Sequence, residues 1–298
     1  FFADRALVVE LRRSMGLSVF NETMTRCTLD DPRNVELMAR IHKWTYTDHI
    51  LPSAADRASF DTQGGWGGQA FQLFKSGRYA IFASGRWALM LFRQFGTMEL
   101  AVVEPPHGGV PNTILSGGQS TVYTRSRHPK YAELFLAYMA DEDYNMQIVR
   151  DGDALPPNPK YVETEAFKRP PDYPNEWGCH EVFADTAQTI AITQSLSPFV
   201  LPVVVDRIDT EAQDLVMKDR ATPEEAARDA AKRVDEEIQR SLEAQESLRL
   251  QYEEWSGLQE QIDAYRKEGR KVPLDWLKNP YHRRLYQVNG WCTEGGAE

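Results

Sequence analysis

The chain has 298 residues, of which 42% are apolar, 11% aromatic and 26% charged, and its formal net charge is −10. That is the composition of a globular protein long enough for about two domains or one two-lobed body. The acidic balance argues against nucleic acid and anionic lipid as partners, since both select basic stripes, and with no run of about 18 apolar residues no membrane-spanning helix is expected.

The first residues, Phe1-Phe2-Ala3-Asp4-Arg5, include no initiator Met and no apolar leader, so the chain is expected to start inside a larger protein or after processing. Cys27, Cys179 and Cys292 are far apart, which excludes a Cys-x-x-Cys metal knuckle and a dense disulfide framework. One bridge with a spare thiol and three free thiols both fit this spacing.

Asp4 to Arg13 reads as a short helix, followed by extended pieces at 18–20 and 23–29 around a turn. Asp30-Asp31-Pro32 is an acidic cap followed by proline in a first turn. Val35, Leu37, Met38, Ile41 and Trp44 then recur at helical spacing, predicting an amphipathic helix over 32–45. Residues 53–65 are a polar loop. Gln63 to Gly68 is Gly-rich but lacks the Lys-Ser/Thr of a phosphate loop. Trp66 within it either packs locally or overhangs a cleft.

The stretch Phe71 to Ser120 carries the strongest site signals. A helix over Gln69–Lys75 is followed by expected strands at Arg78–Ala83, Leu100–Val103 and Thr121–Tyr123. Trp87 sits just beyond a strand end, after Ser84-Gly85-Arg86, as a core residue or as the aromatic wall of a site. Gly117-Gly118 lets backbone approach something closely. Strand ends bearing Gly, Trp and Ser at one mouth suit a ligand cleft of an α/β protein.

His128-Pro129 starts a helix whose expected buried face is Tyr131, Leu134, Phe135, Tyr138 and Met139, and a second helix runs from Asp141 to Gly152. Residues 163–176, with three prolines and many charges, form a connection. Val182–Ile192 is helix or strand. The pair Cys179-His180 is too small a ligand set for a metal. A polar loop over 193–201 leads to a helix over 203–217. Thr222-Pro223-Glu224-Glu225 is a capping box, and the apolar stripe from Ala227 to Tyr265 is one long helix or two, with Gly257 as the weak point. The tail holds Tyr281, Tyr286 and Trp291 beside Lys278, Arg283 and Arg284; it packs on the body or docks on a partner. No G-x-S-x-G, H-E-x-x-H, P-loop or G-x-G-x-x-G occurs, so no catalytic residue, metal or cofactor is assigned.

The order of these signals resembles the extracellular solute-binding proteins of ABC importers, family 1, the sugar-binding group. The segments that carry the resemblance are Leu29-Asp30-Asp31-Pro32 before a helix, Phe71-x-x-Phe74-Lys75-Ser76-Gly77, Gly85-Arg86-Trp87, Val102 to Gly109, Gly117-Gly118, Ser126 to Phe135 and Thr222-Pro223-Glu224-Glu225-Ala226. They span about residues 20–243. The resemblance implies an α/β, periplasmic-binding-protein-like two-lobed fold (type II), partial in this chain, with a long helical C-terminal extension. It places 1–112 and 163–243 in the second lobe, 113–162 in a returning piece of the first lobe, and 244–298 in the extension. Most of the N-terminal lobe is expected to lie outside this chain, leaving an unpaired sheet edge near 119–125.

The implied function is non-catalytic. The chain binds a sugar or oligosaccharide in an interlobe cleft that closes about a hinge, and passes it to ABC permease subunits in the periplasm or extracellular envelope. Peripheral membrane association through a lipid anchor upstream of residue 1 is a further expectation from the resemblance. Trp87, Gly117, Gly118, Trp66, Trp177, Ser197 and Phe199 are the expected ligand-binding residues. Two other classes stand beside this one: a carbohydrate hydrolase using a carboxylate pair, and an envelope interaction module docking through 245–298.

Overall fold

A computed structural model describes residues 8–58, 68–118 and 120–293. Trp66 and the start of the expected first helix, Asp4 to Leu7, lie outside the described residues. Helix α1 is Val8–Ser14. An antiparallel bridge between Phe20 and Cys27 closes the expected turn. Helix α2, Pro32–Tyr46, begins where its cap predicts: the Asp31 carboxylate accepts from the Arg33 backbone N–H, and Pro32 occupies the first turn. Then follow α3 (Gly68–Lys75), α4 (Ala88–Phe92), strand β1 (Thr113–Leu115), α5 (Pro129–Ala140), α6 (Glu142–Asp151), α7 (His180–Thr189) and β2 (Ala191–Thr193). Strands β1 and β2 pair.

The C-terminal third is helical: α8 (Pro202–Met217), α9 (Pro223–Ala244), α10 (Glu246–Lys267), β3 (Val272–Pro273), α11 (Pro280–Asn289) and β4 (Cys292–Thr293), with β3 and β4 parallel. The reciprocal Thr222–Glu225 capping box starts α9. Two helices, not one, carry the long apolar stripe. The break falls at Gln245, whose backbone is extended (φ −140°, ψ 110°), and not at Gly257, which lies inside α10.

The strands expected at Arg78–Ala83, Leu100–Val103 and Thr121–Tyr123 are not formed among the described residues beyond a single bridge position at Ile81. β propensity reflects fit to a pleated, paired surface, and these runs have no ladder to join. Helix α5 forms where expected, but its apolar face is open. Tyr131 is 73% exposed, Leu134, Phe135 and Tyr138 are also exposed, and no α5 residue is buried.

The chain divides into two compact units. The first comprises Leu51–Pro105 and Leu115–Ala191, the second Val8–Ile50, Pro106–Ile114 and Ile192 onward. This division differs from the expected segmentation. Residues 51–105 and 163–191 group with 115–162, while 8–50 group with 192–243 as expected and 244–293 join the same unit.

The first unit holds two apolar clusters. In one, Phe71, Ala88, Leu91 and Phe92 gather Phe74, Phe82 and Trp87. The other is built on Val149, Tyr161, Val162, Phe167 and Ala184. In the second unit α2, α8 and α9 enclose Phe20, Leu29, Met38, Phe199, Ile208, Val234 and Ile238, with Tyr252 and Trp255 of α10 against them. A further cluster joins Ile192 and Ile262 to Val272, Leu277, Tyr281 and Leu285.

Candidate functional site

The second unit carries a small cavity of about 120 Å³ where α1, Ile114 of β1, the segment after β2 and the start of α8 converge. Two adjacent buried arginines organise it. Arg13 donates from Nη1 to the Ile192 carbonyl at 3.1 Å and from Nη2 to the Thr193 carbonyl at 2.8 Å, fixing the end of β2. The Arg13 carbonyl in turn accepts from the Tyr281 hydroxyl. Arg12 forms a bidentate pair with Asp209, Nη1 to Oδ2 and Nη2 to Oδ1 both at 3.0 Å, and donates from Nε to Asn34 Oδ1 at 2.9 Å. A charge as buried as Arg12, at 1% exposure, is tolerable because it is both paired and hydrogen-bonded.

The loop from Gln194 to Leu201 roofs this base. Ser195 Oγ donates to Asn279 Oδ1 at 2.7 Å, and Ser197 Oγ donates to the Met24 carbonyl at 2.9 Å while accepting from the Phe199 N–H. Beyond the loop, Leu196, Leu201 (68% exposed) and Val203 (71% exposed) present apolar side chains to solvent. Their neighbour Asp206 has its pKa raised by partial burial and then by the Asp209 charge. Leu201 caps α8 without a side-chain hydrogen bond. The surface therefore offers apolar area and a carboxylate acceptor. Asp209 is committed to Arg12 through both oxygens, so the two carboxylates are not an acid–base pair. Among the described residues no group of three or more His, Cys, Asp or Glu could hold a metal ion.

The expected site residues fall in both units. Ser197 lines the cavity, but its hydroxyl is used in holding the loop. Phe199 is fully buried, edge-on to Tyr252 at 5.2 Å and Trp255 at 5.4 Å, so it is core and offers no face to a ligand. The other described candidates belong to the first unit. Trp87 is half-buried with its ring 5.6 Å from that of Phe71, inside the aromatic cluster. Trp177 is exposed and donates its indole N–H to the Pro170 carbonyl at 3.1 Å. Among the described residues no atom lies within 4 Å of where a Cβ would stand on Gly117 or Gly118. Sequence reasoning missed Arg12, Arg13, Leu201, Val203 and Asp206. The available signal was a pair of arginines inside an apolar helix and a Leu-Pro-Val run following a polar loop.

Residues 28–175 match the sequence family described as bacterial extracellular solute-binding protein. Three solved structures share the fold. An ABC substrate-binding protein from Listeria monocytogenes, in complex with cycloalternan, aligns at TM-score 0.55 and 16% identity, over 78% of this chain and 56% of that one. A cyclo/maltodextrin-binding protein complexed with maltotetraose aligns at 0.54 and 22% identity, over 81% and 58%. Maltose-bound MalE3 of T. maritima aligns at 0.55 and 14% identity, over 78% and 58%. The chain thus spans somewhat more than half the length of these proteins. No match was found among curated proteins. Residues 28–175, just under half of the chain, thus resemble that family, and the fold of the chain is periplasmic-binding-protein-like.

Proposed function

We propose that this chain binds a sugar or oligosaccharide, outside the cytoplasmic membrane, and presents it to an ABC permease without transforming it. The observation that carries the reading is the exposed strip Leu196, Leu201 and Val203 beside the Asp206 carboxylate. Sugars have apolar C–H faces and hydroxyl rims, and this surface offers a counterpart to each. The base supports it, since Arg13 holds the end of β2 where the loop begins and the Ser195 and Ser197 hydroxyls tie the loop down, which lowers the ordering cost at binding. The commitment of Asp209 to Arg12 supports a binder over a hydrolase, which needs two free carboxyls. The periplasm or extracellular space fits the family, and the lipid tether expected from the resemblance belongs to the same proposal.

Titration calorimetry of the full chain with maltose, maltotetraose and cycloalternan tests it. These are the ligands seen with the fold's relatives. Binding of at least one, weakened tenfold or more by L201D/V203D and by D206N, is the expected result. If none binds, or if hydrolysis products accumulate, the reading fails.

A further inference from the structure

A second and larger pocket lies elsewhere in the second unit, at the C-terminal helices. Its volume is about 780 Å³, and it opens between the turn after α1, the start of α2, the end of α10, and α11 with the Gly290-Trp291 segment. The family match, at residues 28–175, does not include the α10–α11 side of it.

Six charged side chains line this pocket, and four are cationic: Arg33, Arg266, Arg270 and Lys271, against Glu22 and Asp31. In a chain of net charge −10 this is a local reversal of sign. Both acids are already neutralised. The Glu22 carboxylate, 5% exposed, accepts from the Tyr286 hydroxyl at 2.7 Å, from Arg266 at 3.0 Å and from Gln259 at 3.0 Å. Burial works to raise its pKa, but His282, Tyr286 and Arg266 outweigh burial and hold it below the usual carboxylate value. Asp31 is clamped by Arg33 through Nε at 3.0 Å and Nη2 at 2.9 Å.

Two further cations, Arg270 and Lys271, stand at the rim. Arg270 lies flat on the Tyr265 ring, 3.6 Å from its centroid, with Nε 2.7 Å from Glu268 Oε2. Stacking and that ion pair fix the plane of the guanidinium and leave its outer Nη edge to a ligand. Lys271 is exposed beside it. Trp291, next to Lys271 across the β3–β4 pairing, lines the same pocket with half its surface open, edge-on to Tyr286 at 5.8 Å. Its backbone is pinned on both sides: Trp291 N–H donates to the Tyr286 carbonyl at 2.9 Å, and the Trp291 carbonyl accepts from Val272 N–H at 2.9 Å. An indole carried on a pinned backbone and a stacked, ion-paired guanidinium line one pocket, which lowers the ordering cost of binding.

We propose that this pocket binds a sugar bearing an anionic group, a uronate or a sugar phosphate, with Arg270 and Lys271 on the anionic oxygens and the Trp291 indole against the pyranose ring. Anionic oxygens alone would leave the indole unused, and a neutral sugar would leave the cations unused. This site is separate from the Leu201–Asp206 surface and does not rest on it.

The test is calorimetry of the full chain with D-glucuronate, D-glucose 6-phosphate, D-glucose and inorganic phosphate. Both anionic sugars are expected to bind, and glucose and inorganic phosphate at least tenfold more weakly. R270A/K271A and W291A should each weaken the anionic sugars, on the order of tenfold for each charge-assisted hydrogen bond removed. L201D/V203D, which disables the first site, should leave this binding unchanged. Raising the salt to 0.5 M should weaken it, because the rim charges are exposed. Equal affinity for glucose, equal affinity for inorganic phosphate, or full retention in R270A/K271A each overturns the proposal.

Discussion

Arg86 donates from Nε to His180 Nδ1 across 3.0 Å in the interior of the first unit. The hydrogen bond fixes the tautomer: Nδ1 accepts, so the ring proton sits on Nε2. Nε2 faces Glu176 Oε2 at 3.1 Å, an electrostatic contact with no acceptor in line with the N–H. Glu176 is clamped from its other side by Arg93, with Nε and Nη2 both at 2.8 Å. Cys179-His180 is thereby part of a structural network, and the Cys179 thiol reaches only the Leu100 carbonyl, at 3.6 Å.

The network gives stability a pH dependence. Burial alone would raise the Glu176 pKa, but Arg93 and His180 overcome burial and lower it from 4.5 to about 2. A depressed carboxylate contributes stability above its unfolded pKa and loses it as pH falls through the folded value. The window is therefore pH 4.5 down to about 2, at about 1.4 kcal/mol per unit. Thermal unfolding followed from pH 6 to pH 2 should fall across this window, and E176Q should flatten the fall. Parallel curves for the two proteins would refute the assignment.

Arg86 itself is the more severe target. Its guanidinium also donates to the carbonyls of Ile148 (3.2 Å), Ala154 (2.6 Å) and Val149 (2.9 Å) and lies 4.6 Å from the Phe167 ring centroid. Lysine keeps the charge but cannot supply this fork of donors. R86K is expected to lose about 3–5 kcal/mol in chemical denaturation, the range for breaking a buried ionic network. A loss under 1 kcal/mol would show that the pocket relaxes around the ammonium.

These interactions also show what the sequence could and could not reveal. Helices α2 and α9 were legible because their start signals are local, Asp31-Pro32 and the Thr222–Glu225 box, whereas α11 went unread although Asn279-Pro280 is a start of the same kind. The strands around Trp87 were misread because pairing is not local, and Leu100–Val103 has no partner among the described residues. Arg86 read as part of a surface turn, since a buried arginine has the same neighbours in sequence as an exposed one. Gly257 is weak by propensity alone, yet α10 runs through it while flanked by Trp255 and Leu248, both packed on the core. The site was least legible of all, because Arg12 and Asp209 are 197 residues apart.

The open face of α5 yields a direct check. Phe135 looks like core in sequence but is 59% exposed. F135S is therefore expected to change unfolding free energy by no more than about 0.5 kcal/mol, as at ordinary surface positions. A cost of several kcal/mol would mean that this face is covered in solution.

Trp87 separates packing from binding. It sits beside Phe71 in an aromatic cluster, and a Cβ on Gly85 would come within 2.9 Å of its ring. W87A is expected to cost about 1–3 kcal/mol, less than a fully buried aromatic because the ring is half-buried. Sugar affinity of the folded protein should be unchanged. L201D/V203D should do the reverse, abolishing binding at little cost in stability. Calorimetric titration paired with thermal melts reads both effects, and loss of binding in W87A at unchanged melting temperature would return Trp87 to the site.

The three cysteines are all free, and their surroundings set an order of reactivity. Cys27 is fully buried in the second unit's core, where burial pushes its thiol up to about 12. Its backbone N–H donates to Asp235 Oδ1 at 2.8 Å, so the segment is held as well as covered. Cys179 is also buried, and burial followed by Glu176 raises its thiol. Cys292 is half-buried in strand β4. Only a thiolate attacks an alkylating agent, and only one the reagent can reach. Iodoacetamide at pH 8 should therefore label Cys292 first, Cys179 slowly, and Cys27 only once the protein is unfolded. Mass spectrometry of a time course gives the order. Alkylation of Cys27 in step with Cys292 under native conditions would mean that the core around Phe20 and Val234 opens far more often than its packing predicts.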